Sequence, residues 1–406
     1  MRRRSFLKQT AAAGAVLGFP TIIPSRVLGA DAPSNRIVMG AIGVGGMGTG
    51  DMRGMCGFKE VQMVAVCDVQ KSARDSAKNW VDGRYGDSGC AAYNDFRELL
   101  AREDIDAVVI GTPDHWHAIQ TITACRSGKD VYCEKPISLT VREGREMVTA
   151  ARRYGRVVSG GSQRVLGDYG RLAHDIRSES YSGIKEIYVN VGGPSRHCNL
   201  PGQPVPGGFD WNMWLGPAPW APYHPHRCGR GYGLGGTGFR SWYDYSGGMM
   251  TDWGAHKFAA AIFWAGVGDT GPAEVIPPDG KDHPYLTYVF EDGLLMYHSE
   301  GRGNVDFVHG GSRKIAAGPG PAERYPAMGY RGRGGIYGDF LHCVRTRERP
   351  FRDVELSHRA ATVCHLGNIA YQLQRPLKWN PVKERFLDDE LANRLLDRPK
   401  REPWTI

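Results

Sequence analysis

Short apolar segments alternate with amphipathic ones through the first half of the chain. The apolar segments have strand length and carry mainly β-branched or small apolar residues; they are Arg36 to Ile42, Val61 to Cys67, Ile105 to Ile110, Asp130 to Cys133 and the pair Val157-Val158. Continuous apolar runs of this length are typical of parallel strands buried on both faces. Helical patterns between them predict an α/β domain with a doubly wound parallel sheet.

Helix boundaries are also readable in this half. Asn94 to Leu100 is a short amphipathic segment, and Ile119 to Arg126 predicts a helix that ends at Gly128. Thr140 with Glu143 forms a capping box, which predicts a helix from there to about Tyr154.

The second half has a different pattern of strand-like and helical segments, and this pattern predicts an α+β domain. Asp292-Gly293 joins two strand-like runs as a hairpin, because this dipeptide favours the tight turn between antiparallel strands. The predicted strands are Ile184 to Val191, Leu286 to Phe290, Leu294 to Glu300, Val305 to Val308 and Arg313 to Ala316, and the predicted helices are Asp168 to Ser180 and Glu355 to Gln374.

Residues 194–238 follow the first predicted strand of the second half. They are dense in Pro, Gly and aromatic residues, which predicts a long ordered loop. Its aromatic residues are Trp211, Trp214, Trp220, Tyr223 and Tyr232. Flat aromatic rings stack on sugar faces, so a carbohydrate-binding rim is one interpretation. Anchoring of the loop by its own rings is the other, and the sequence leaves both open.

The length of 406 residues, 41% of them hydrophobic, predicts two domains with sizeable cores. Half of the formal net charge of +8 comes from residues 1–32, which hold five Arg or Lys side chains against one Asp. The remainder has no dense basic run, so nucleic acid is not an expected partner. A small polar or anionic ligand is expected instead.

Residues 1–32 have the order of an export signal: charged, then apolar, then small residues. Arg3-Arg4 followed by Phe6-Leu7-Lys8 matches the twin-arginine pattern, which predicts a periplasmic protein. The apolar part, Ala11 to Ile23, is too short to span a bilayer comfortably, so no stable membrane span is expected. The twin-arginine route carries folded proteins, which favours a cofactor that is loaded in the cytoplasm.

Metal chemistry is not expected. The nine cysteines include no C-x-x-C pair. His115 with His117, and His224-Pro225-His226 with Cys228, lack the partners of a good site. Whether Cys198 and Cys228 form a disulfide outside the cytoplasm stays open.

A glycine turn follows the first strand. Its residues are Gly43, Val44, Gly45, Gly46, Met47 and Gly48, and a helical segment follows. This G-x-G-x-x-G motif lies in the context it requires, where the glycines permit a tight turn and close approach of a pyrophosphate to the helix N-terminus. It predicts a dinucleotide-binding site.

Asp68 directly follows the second strand, where a carboxylate binds the ribose hydroxyls of a dinucleotide. A 2′-phosphate would be repelled there, so NAD is favoured over NADP. Lys71 and Arg74 lie nearby and would soften this preference.

Three further polar groups follow strands or open a helix. The segment Thr112-Pro113-Asp114-His115-Trp116-His117 follows the third apolar run, and ligand contact is expected of His115 and His117. Glu134 and Lys135 follow the fourth run, at the edge where open α/β sheets bind ligands. Asp252 and His256 are four residues apart, which places both on one helical face. A carboxylate there would orient the imidazole and support its cationic form.

In order and spacing these motifs resemble the Gfo/Idh/MocA oxidoreductase family. The resemblance rests on the glycine turn, Asp68, Thr112-Pro113 with His117, Gly128-Lys129-Asp130-Val131, and Glu134-Lys135-Pro136. It implies a signal peptide over 1–32, a Rossmann domain over 33–161 and a C-terminal domain over 162–406. The C-terminal domain would hold a large open, mostly antiparallel sheet that makes the contact of a homo-oligomer.

The resemblance also assigns roles to residues. Lys135 would lie between nicotinamide and substrate, and His256 would accept a proton. Thr112, Pro113, Glu134, Gln163 and Arg164 would line the cofactor cleft. The chain departs from the nearest subgroup at Lys257 and Ala259, where a histidine and an acidic residue are expected.

Together these expectations describe an NAD-dependent oxidoreductase acting on a secondary hydroxyl of a sugar, glycoside or polyol. His256 would be the base, Lys135 the electrostatic stabiliser, and Asp252 the orienting group or a substrate ligand. A redox-neutral glycosidase or lyase that works through a transient keto sugar is an alternative. A non-catalytic sugar-binding protein is another.

Overall fold

The computed structural model describes residues 35–166, 183–229, 238–299, 305–310 and 329–406. The export signal of residues 1–32, the helix predicted from Asp168 to Ser180, the strand from Arg313 to Ala316, and Tyr232 lie outside these ranges. In the described part of the chain, no helix combines the length and the apolar character that crossing a membrane requires.

A six-stranded, fully parallel sheet forms the first domain, in the order β3-β2-β1-β4-β5-β6. The strands are β1 Ile37–Ile42, β2 Val61–Cys67, β3 Ala91–Tyr93, β4 Ala107–Ile110, β5 Asp130–Cys133 and β6 Val158–Gly160. Every residue of β4, β5 and β6 is buried, as expected of strands covered on both faces. The predicted doubly wound sheet is confirmed.

Five helices cover this sheet: α1 Gly46–Met55, α2 Lys71–Tyr85, α3 Phe96–Leu100, α4 Asp114–Arg126 and α5 Val141–Arg153. The capping box is confirmed, since Thr140 Oγ1 accepts a hydrogen bond from the Glu143 amide. The predicted start of α4 at Ile119 is wrong. Pro113 caps the helix with φ −62°, so Asp114 to His117 form its first turn instead of a loop.

A seven-stranded mixed sheet forms the second domain, in the order β11-β7-β10-β9-β8-β12-β13. Its strands are β7 Ile184–Val189, β8 Glu274–Ile276, β9 Leu286–Val289, β10 Leu295–His298, β11 Val305–His309, β12 Leu377–Asn380 and β13 Arg385–Phe386. The pair β10 and β7 is parallel and the other pairs are antiparallel. The prediction of a mostly antiparallel sheet is therefore confirmed.

In the described part of the second half there are seven helices: α6 Trp211–Leu215, α7 Pro225–Cys228, α8 Met249–Asp252, α9 Gly254–Trp264, α10 Gly335–Thr346, α11 Val354–Leu373 and α12 Glu390–Arg394. Helices α9 and α11 share one apolar core with the sheet. Gly254 permits their close contact, because a Cβ there would lie 2.7 Å from Cys364 Sγ. Helix α10 instead packs into the core of the first domain, through Ile336 and Phe340.

Candidate active site

A cavity of about 540 Å³ lies where the carboxyl ends of β1, β2, β4 and β5 meet. Parallel strands end at one edge of their sheet, so groups far apart in sequence converge there. Its wall includes Gly43, Gly45, Gly46, Met47, Asp68, Thr112, Pro113, Asp114, Glu134, Lys135 and Arg240. Most of the predicted cofactor-binding residues therefore line one space.

The glycine turn has the geometry that its motif predicts. Gly43 has φ +77°, a conformation that favours glycine. A Cβ on Gly48 would lie 1.9 Å from the Gly43 carbonyl oxygen, and one on Gly111 would lie 2.4 Å from Gly48 Cα. No side chain caps the start of α1, so its first N–H groups can receive phosphate oxygens. The turn fits a dinucleotide.

Asp68 lies on the cavity wall directly after β2. Its Oδ1 accepts a hydrogen bond from the Gln70 amide, 2.8 Å away. Of the two nearby cations, Arg74 donates to the Asp68 backbone carbonyl and to Asn94, while Lys71 pairs with Asp75 on the surface. Both cations thus have partners other than a nucleotide phosphate.

Lys135 and Asp252 meet at the other end of the cavity. Lys135 Nζ donates to Asp252 Oδ1 over 2.8 Å, and Arg240 Nε donates to the same oxygen over 2.8 Å. Lys135 and Asp252 belong to different domains, and both are buried. The carboxylate therefore holds two cations at one point of the cleft.

The charges in this group stabilise one another. Burial alone raises the pKa of Asp252, but Lys135 and Arg240 outweigh it and hold the pKa below its usual value. Burial alone lowers the pKa of Lys135, but Asp252 and Glu134 outweigh it and raise the pKa. Lys135 is therefore a cation, and Asp252 an anion, over the whole neutral range.

His256 is the third residue of α9 and is buried, 6% exposed. Burial, followed by repulsion from Lys135, lowers the pKa of its imidazole to about 3. Asp252 favours the protonated form, as predicted, but burial and Lys135 outweigh it, so the imidazole is neutral near pH 7. Asp252 ends the separate short helix α8, and its Oδ1 is engaged by Lys135 and Arg240. His256 Nδ1 has no hydrogen-bond partner within the described ranges.

His115 and His117 are buried on α4 and contact backbone carbonyls. His115 Nε2 lies 2.9 Å from the Trp214 oxygen. The two nitrogens of His117 lie 2.7 Å from the carbonyls of Pro136 and Thr112, so this ring joins the segments that follow β5 and β4. Neither histidine is among the residues that line the cavity; these bonds give both rings a packing role, and the expected ligand contact stays a prediction.

Gln163 and Arg164 lie at the crossing between the domains and do not line the cavity. Gln163 Nε2 donates to the buried Asp51 over 3.2 Å. The Arg164 guanidinium lies 5.1 Å from the ring centre of Trp253. Their predicted place in the cofactor cleft stays a prediction.

Two residues of the site are not among the predicted site residues, although Asp114 lies within the segment from Thr112 to His117 that the sequence singles out. Arg240 lies among aromatic residues twelve positions before Asp252, with no motif around it. Asp114 lines the cavity at the start of α4, and burial raises its pKa to about 7. Only the folded arrangement brings these two beside Lys135.

The aromatic residues of 194–238 pack mainly on one another. Trp211 and Trp214 stack with ring centres 4.7 Å apart, and Tyr223 meets Trp211 edge to face at 5.3 Å. Trp220, in contrast, is 70% exposed. Loop anchoring is thus the role that this geometry gives Trp211, although Trp214 and Tyr223 also reach the cavity wall.

Among the described residues, no group of three or more His, Cys, Asp or Glu side chains is arranged to hold a metal ion. Cys198 and Cys228 are both free thiols.

Family models match both parts of the chain. Residues 37–162 match the NAD-binding Rossmann fold of the GFO_IDH_MocA oxidoreductase family, and residues 183–406 match its C-terminal alpha/beta domain. The chain belongs to the Gfo/Idh/MocA oxidoreductase family. Its first domain is therefore a nicotinamide-dinucleotide-binding domain, and the resemblance read from the motifs is confirmed at the level of the family.

Solved structures of this family share the fold. The WlbA dehydrogenase from Bordetella pertussis, in complex with NADH and UDP-GlcNAcA, aligns over 85% of this chain and 99% of its own, with TM-score 0.56 and 15% identity. Scyllo-inositol dehydrogenase from Lactobacillus casei, with NAD(H) and scyllo-inositol bound, covers 84% and 99%, with TM-score 0.55 and 15% identity. At these identities the likeness concerns the fold.

A curated relative is more similar in sequence over a shorter stretch. A glycosyl hydrolase family 109 protein from Shewanella baltica (strain OS185) is 35% identical over 172 residues. The match spans 38% of this chain and 37% of that protein, so little more than a third of the relative is covered.

Proposed function

We propose that this Gfo/Idh/MocA protein is an NAD-dependent oxidoreductase that acts on a secondary hydroxyl of a sugar, glycoside or polyol. The observation that carries the proposal is the Lys135 ammonium, held by Asp252 on the wall of the cavity that begins at the glycine turn. A bound nicotinamide supplies the hydride acceptor. The chain's own residues must supply the remaining chemistry.

Lys135 faces the place where a substrate oxygen gains charge. Because it stays protonated through the neutral range, its positive charge stabilises a developing alkoxide without a change of protonation state. Asp252 fixes the ammonium, and Arg240 keeps Asp252 ionised. His256 is the proposed acceptor of the hydroxyl proton: its imidazole is neutral above about pH 3, and the same low pKa makes it a weak base.

NAD is the proposed nucleotide, in preference to NADP. Asp68 lines the cavity, and a carboxylate there favours ribose hydroxyls over a 2′-phosphate. The partners of Arg74 and Lys71 support this, since neither cation is free to neutralise a phosphate. Extraction and mass spectrometry of the nucleotide from purified protein test the assignment, and recovery of mainly NADP would refute it.

A segment of the second domain crosses the nucleotide end of the cavity, and we call residues 206–210 the strap. Its backbone bonds to the first domain, from the Lys71 amide to the Gly208 carbonyl at 2.8 Å and from the Asp210 amide to the Val69 carbonyl at 3.0 Å. Asn94 adds a side-chain bond to Asp210 at 2.9 Å. The strap supports a cofactor that leaves slowly.

Slow release agrees with the proposed twin-arginine export to the periplasm. Outside the cytoplasm no pool of NAD is at hand, and a loosely held cofactor would be lost by dilution. Replacing Arg3 and Arg4 by lysine and fractionating the cells tests the export route. Undiminished periplasmic protein in that variant would contradict it.

A second candidate is a redox-neutral glycosidase, in which oxidation to a keto sugar promotes loss of the leaving group and the hydride then returns. The name of the Shewanella baltica relative favours this reading. Incubating the purified protein with glycosides and no added acceptor separates the candidates. Cleavage without net NADH supports the glycosidase, whereas a requirement for a second carbonyl substrate supports the oxidoreductase. A sugar-binding protein without catalysis would show neither.

Homo-oligomer formation through the second sheet is also proposed. Tyr188 and Tyr297 stack there with ring centres 4.8 Å apart, and Tyr285 lies 6.2 Å from Tyr188. Light scattering of the wild type and of Tyr188→Glu tests this face, because a charge in the contact would release smaller species. An unchanged mass would contradict the proposed interface.

A further inference from the structure

A buried polar cluster includes Glu134 and lies next to Lys135. Four segments of the chain contribute to it. Asp51 comes from α1, Glu134 follows β5, Gln163 lies at the domain crossing, and Tyr337 lies on α10. Asp51 is fully buried and Glu134 is 4% exposed. We call these residues the carboxyl cluster.

Two buried carboxyl oxygens of the carboxyl cluster receive no hydrogen bond from the described residues. Asp51 Oδ1 accepts from the Tyr337 hydroxyl at 2.7 Å and from Gln163 Nε2 at 3.2 Å. Asp51 Oδ2 and Glu134 Oε1 are both buried, and neither has a donor among the described residues. The Asp51 and Glu134 side chains nevertheless lie within hydrogen-bonding reach of each other.

Two carboxylates are acceptors only, so the two side chains cannot bond unless one of them keeps a proton. Leaving both ionised would also place like charges side by side away from water, which is strongly unfavourable. One proton held between the side chains removes both problems.

The charges around the pair point to the same proton count. The ionisable groups that act on the pair are Lys135, Asp252, Tyr132 and Tyr337. Arg240 acts indirectly, through its hydrogen bond to Asp252. Lys135 and Arg240 carry two positive charges and Asp252 carries one negative charge. A pair with one proton adds a second negative charge and balances the two cations, whereas two ionised carboxylates would leave a net negative charge, to which Asp114, with a pKa of about 7, would add.

We propose that Asp51 and Glu134 share one proton. Asp51 is then a positioning residue: it keeps its negative charge because Glu134 holds the proton, and that charge favours the oxidised nicotinamide cofactor. The redox part rests on the proposed function, whereas the proton count does not. Burial raises the pKa of Glu134 well above its ordinary value and that of Asp51 to about 6. Glu134 therefore keeps the proton at neutral pH, and the pair takes up a second one below about pH 6.

The oxidised nicotinamide ring carries a positive charge that the reduced ring lacks. A negative charge about 10 Å away, in surroundings with an effective dielectric constant of about 20, favours the oxidised form on the order of tenfold. Protonation of Asp51 removes this preference.

Infrared difference spectra of the full protein test the proton count without substrate. At pH 7.5, the wild type minus Glu134→Gln should show the C=O band of a protonated carboxyl group. Asp51→Asn should weaken that band, because loss of the Asp51 charge lowers the pKa of Glu134 beside Lys135. Lowering the pH through 6 should add a second band in the wild type but none in the Asp51→Asn/Glu134→Gln double variant. A wild-type spectrum identical to that of Glu134→Gln would overturn the shared proton.

Binding of NAD⁺ and NADH to protein stripped of nucleotide tests the redox part. In the wild type, the ratio of the two dissociation constants should shift on the order of tenfold towards NAD⁺ between pH 5 and 7.5. In the Asp51→Asn/Glu134→Gln double variant, which has neither ionisable group, the ratio should stay at the acid value. Tyr337→Phe is the matched control, because it keeps both carboxyl groups and should keep the shift, displaced to higher pH.

An equal shift in the double variant would overturn the role of the Asp51–Glu134 pair. Protein that binds neither nucleotide would refute the proposed function and with it the redox part. The infrared spectra would still decide the proton count.

Discussion

Lys135 Nζ and Asp252 Oδ1 lie 2.8 Å apart although 117 residues separate them, and their bond joins the two domains at the base of the cleft. Both side chains are buried, so water cannot solvate one charge if the other is removed. A buried pair of this kind is costly to break from either side, because the remaining charge is left without a partner.

Lys135→Met should lower turnover by about 10²- to 10³-fold, the usual effect of losing one stabilising group for a developing oxyanion. The nucleotide should remain bound, because the glycine turn is untouched. Turnover and nucleotide content of the same preparation check this. Near-normal turnover would mean that Lys135 only joins the domains.

Arg240→Gln should raise the pKa of Asp252, because one of the two cations on Oδ1 is lost. We expect turnover to fall by about tenfold, since a charge-assisted hydrogen bond contributes about 1.5 to 3 kcal/mol. Arg240→Lys should recover part of the loss. Turnover as a function of pH separates this effect from loss of folding, and equal losses in both variants would contradict the charge argument.

The pKa of His256 is lowered to about 3, so its imidazole is already neutral at pH 5 and gains nothing as the pH rises to 8. His256→Asn should therefore reduce turnover by about 10²-fold. If the rate of the wild type changes with pH near neutrality, the variant should show the same midpoint in its pH–rate profile. Rates measured from pH 5 to 8 test this. Loss of a neutral-range midpoint in the variant would restore His256 as the titrating group.

Phe209→Ala should speed release of the nucleotide by about tenfold, because it removes an aromatic ring from the part of the strap that lines the cavity. Trp220→Ala is the matched control, since its ring belongs to the same aromatic region and is mostly exposed. Fluorescence of bound NADH during dilution measures both rates. Equal release from the two variants would contradict the strap.

Glu384→Gln should destabilise the protein by about 2 to 3 kcal/mol at pH 7. Burial alone raises the pKa of Glu384, but Arg145 and His358 outweigh it and lower the pKa to about 2. The stabilisation is complete above the unfolded pKa of 4.5 and is lost as the pH falls towards 2. Unfolding of both proteins at pH 7 and pH 3 should show a difference that shrinks at the lower pH.

Local patterns predicted the first domain almost completely. Strands β4 and β5 are buried on both faces, so they appear in the sequence as apolar runs, whereas the partly exposed edge strand β3 has no such run and is not predicted. Strand ends then place Asp68, Glu134 and Lys135 at one edge, because all parallel strands end there. The boundary of α4 was misjudged because Pro113 caps the helix earlier than the apolar pattern indicates.

The sequence by itself determined the parallel sheet, the glycine turn and the family, since these depend on residues that are close together in the chain. Only the tertiary structure decided the charge state of the site. The pKa of His256 depends on burial and on Lys135, Arg240 reaches the site from a segment without a motif, and the glycine motif does not indicate the contacts of Asp51. Desolvation and Coulomb interactions depend on distances through space, and a linear pattern of residues does not contain those distances.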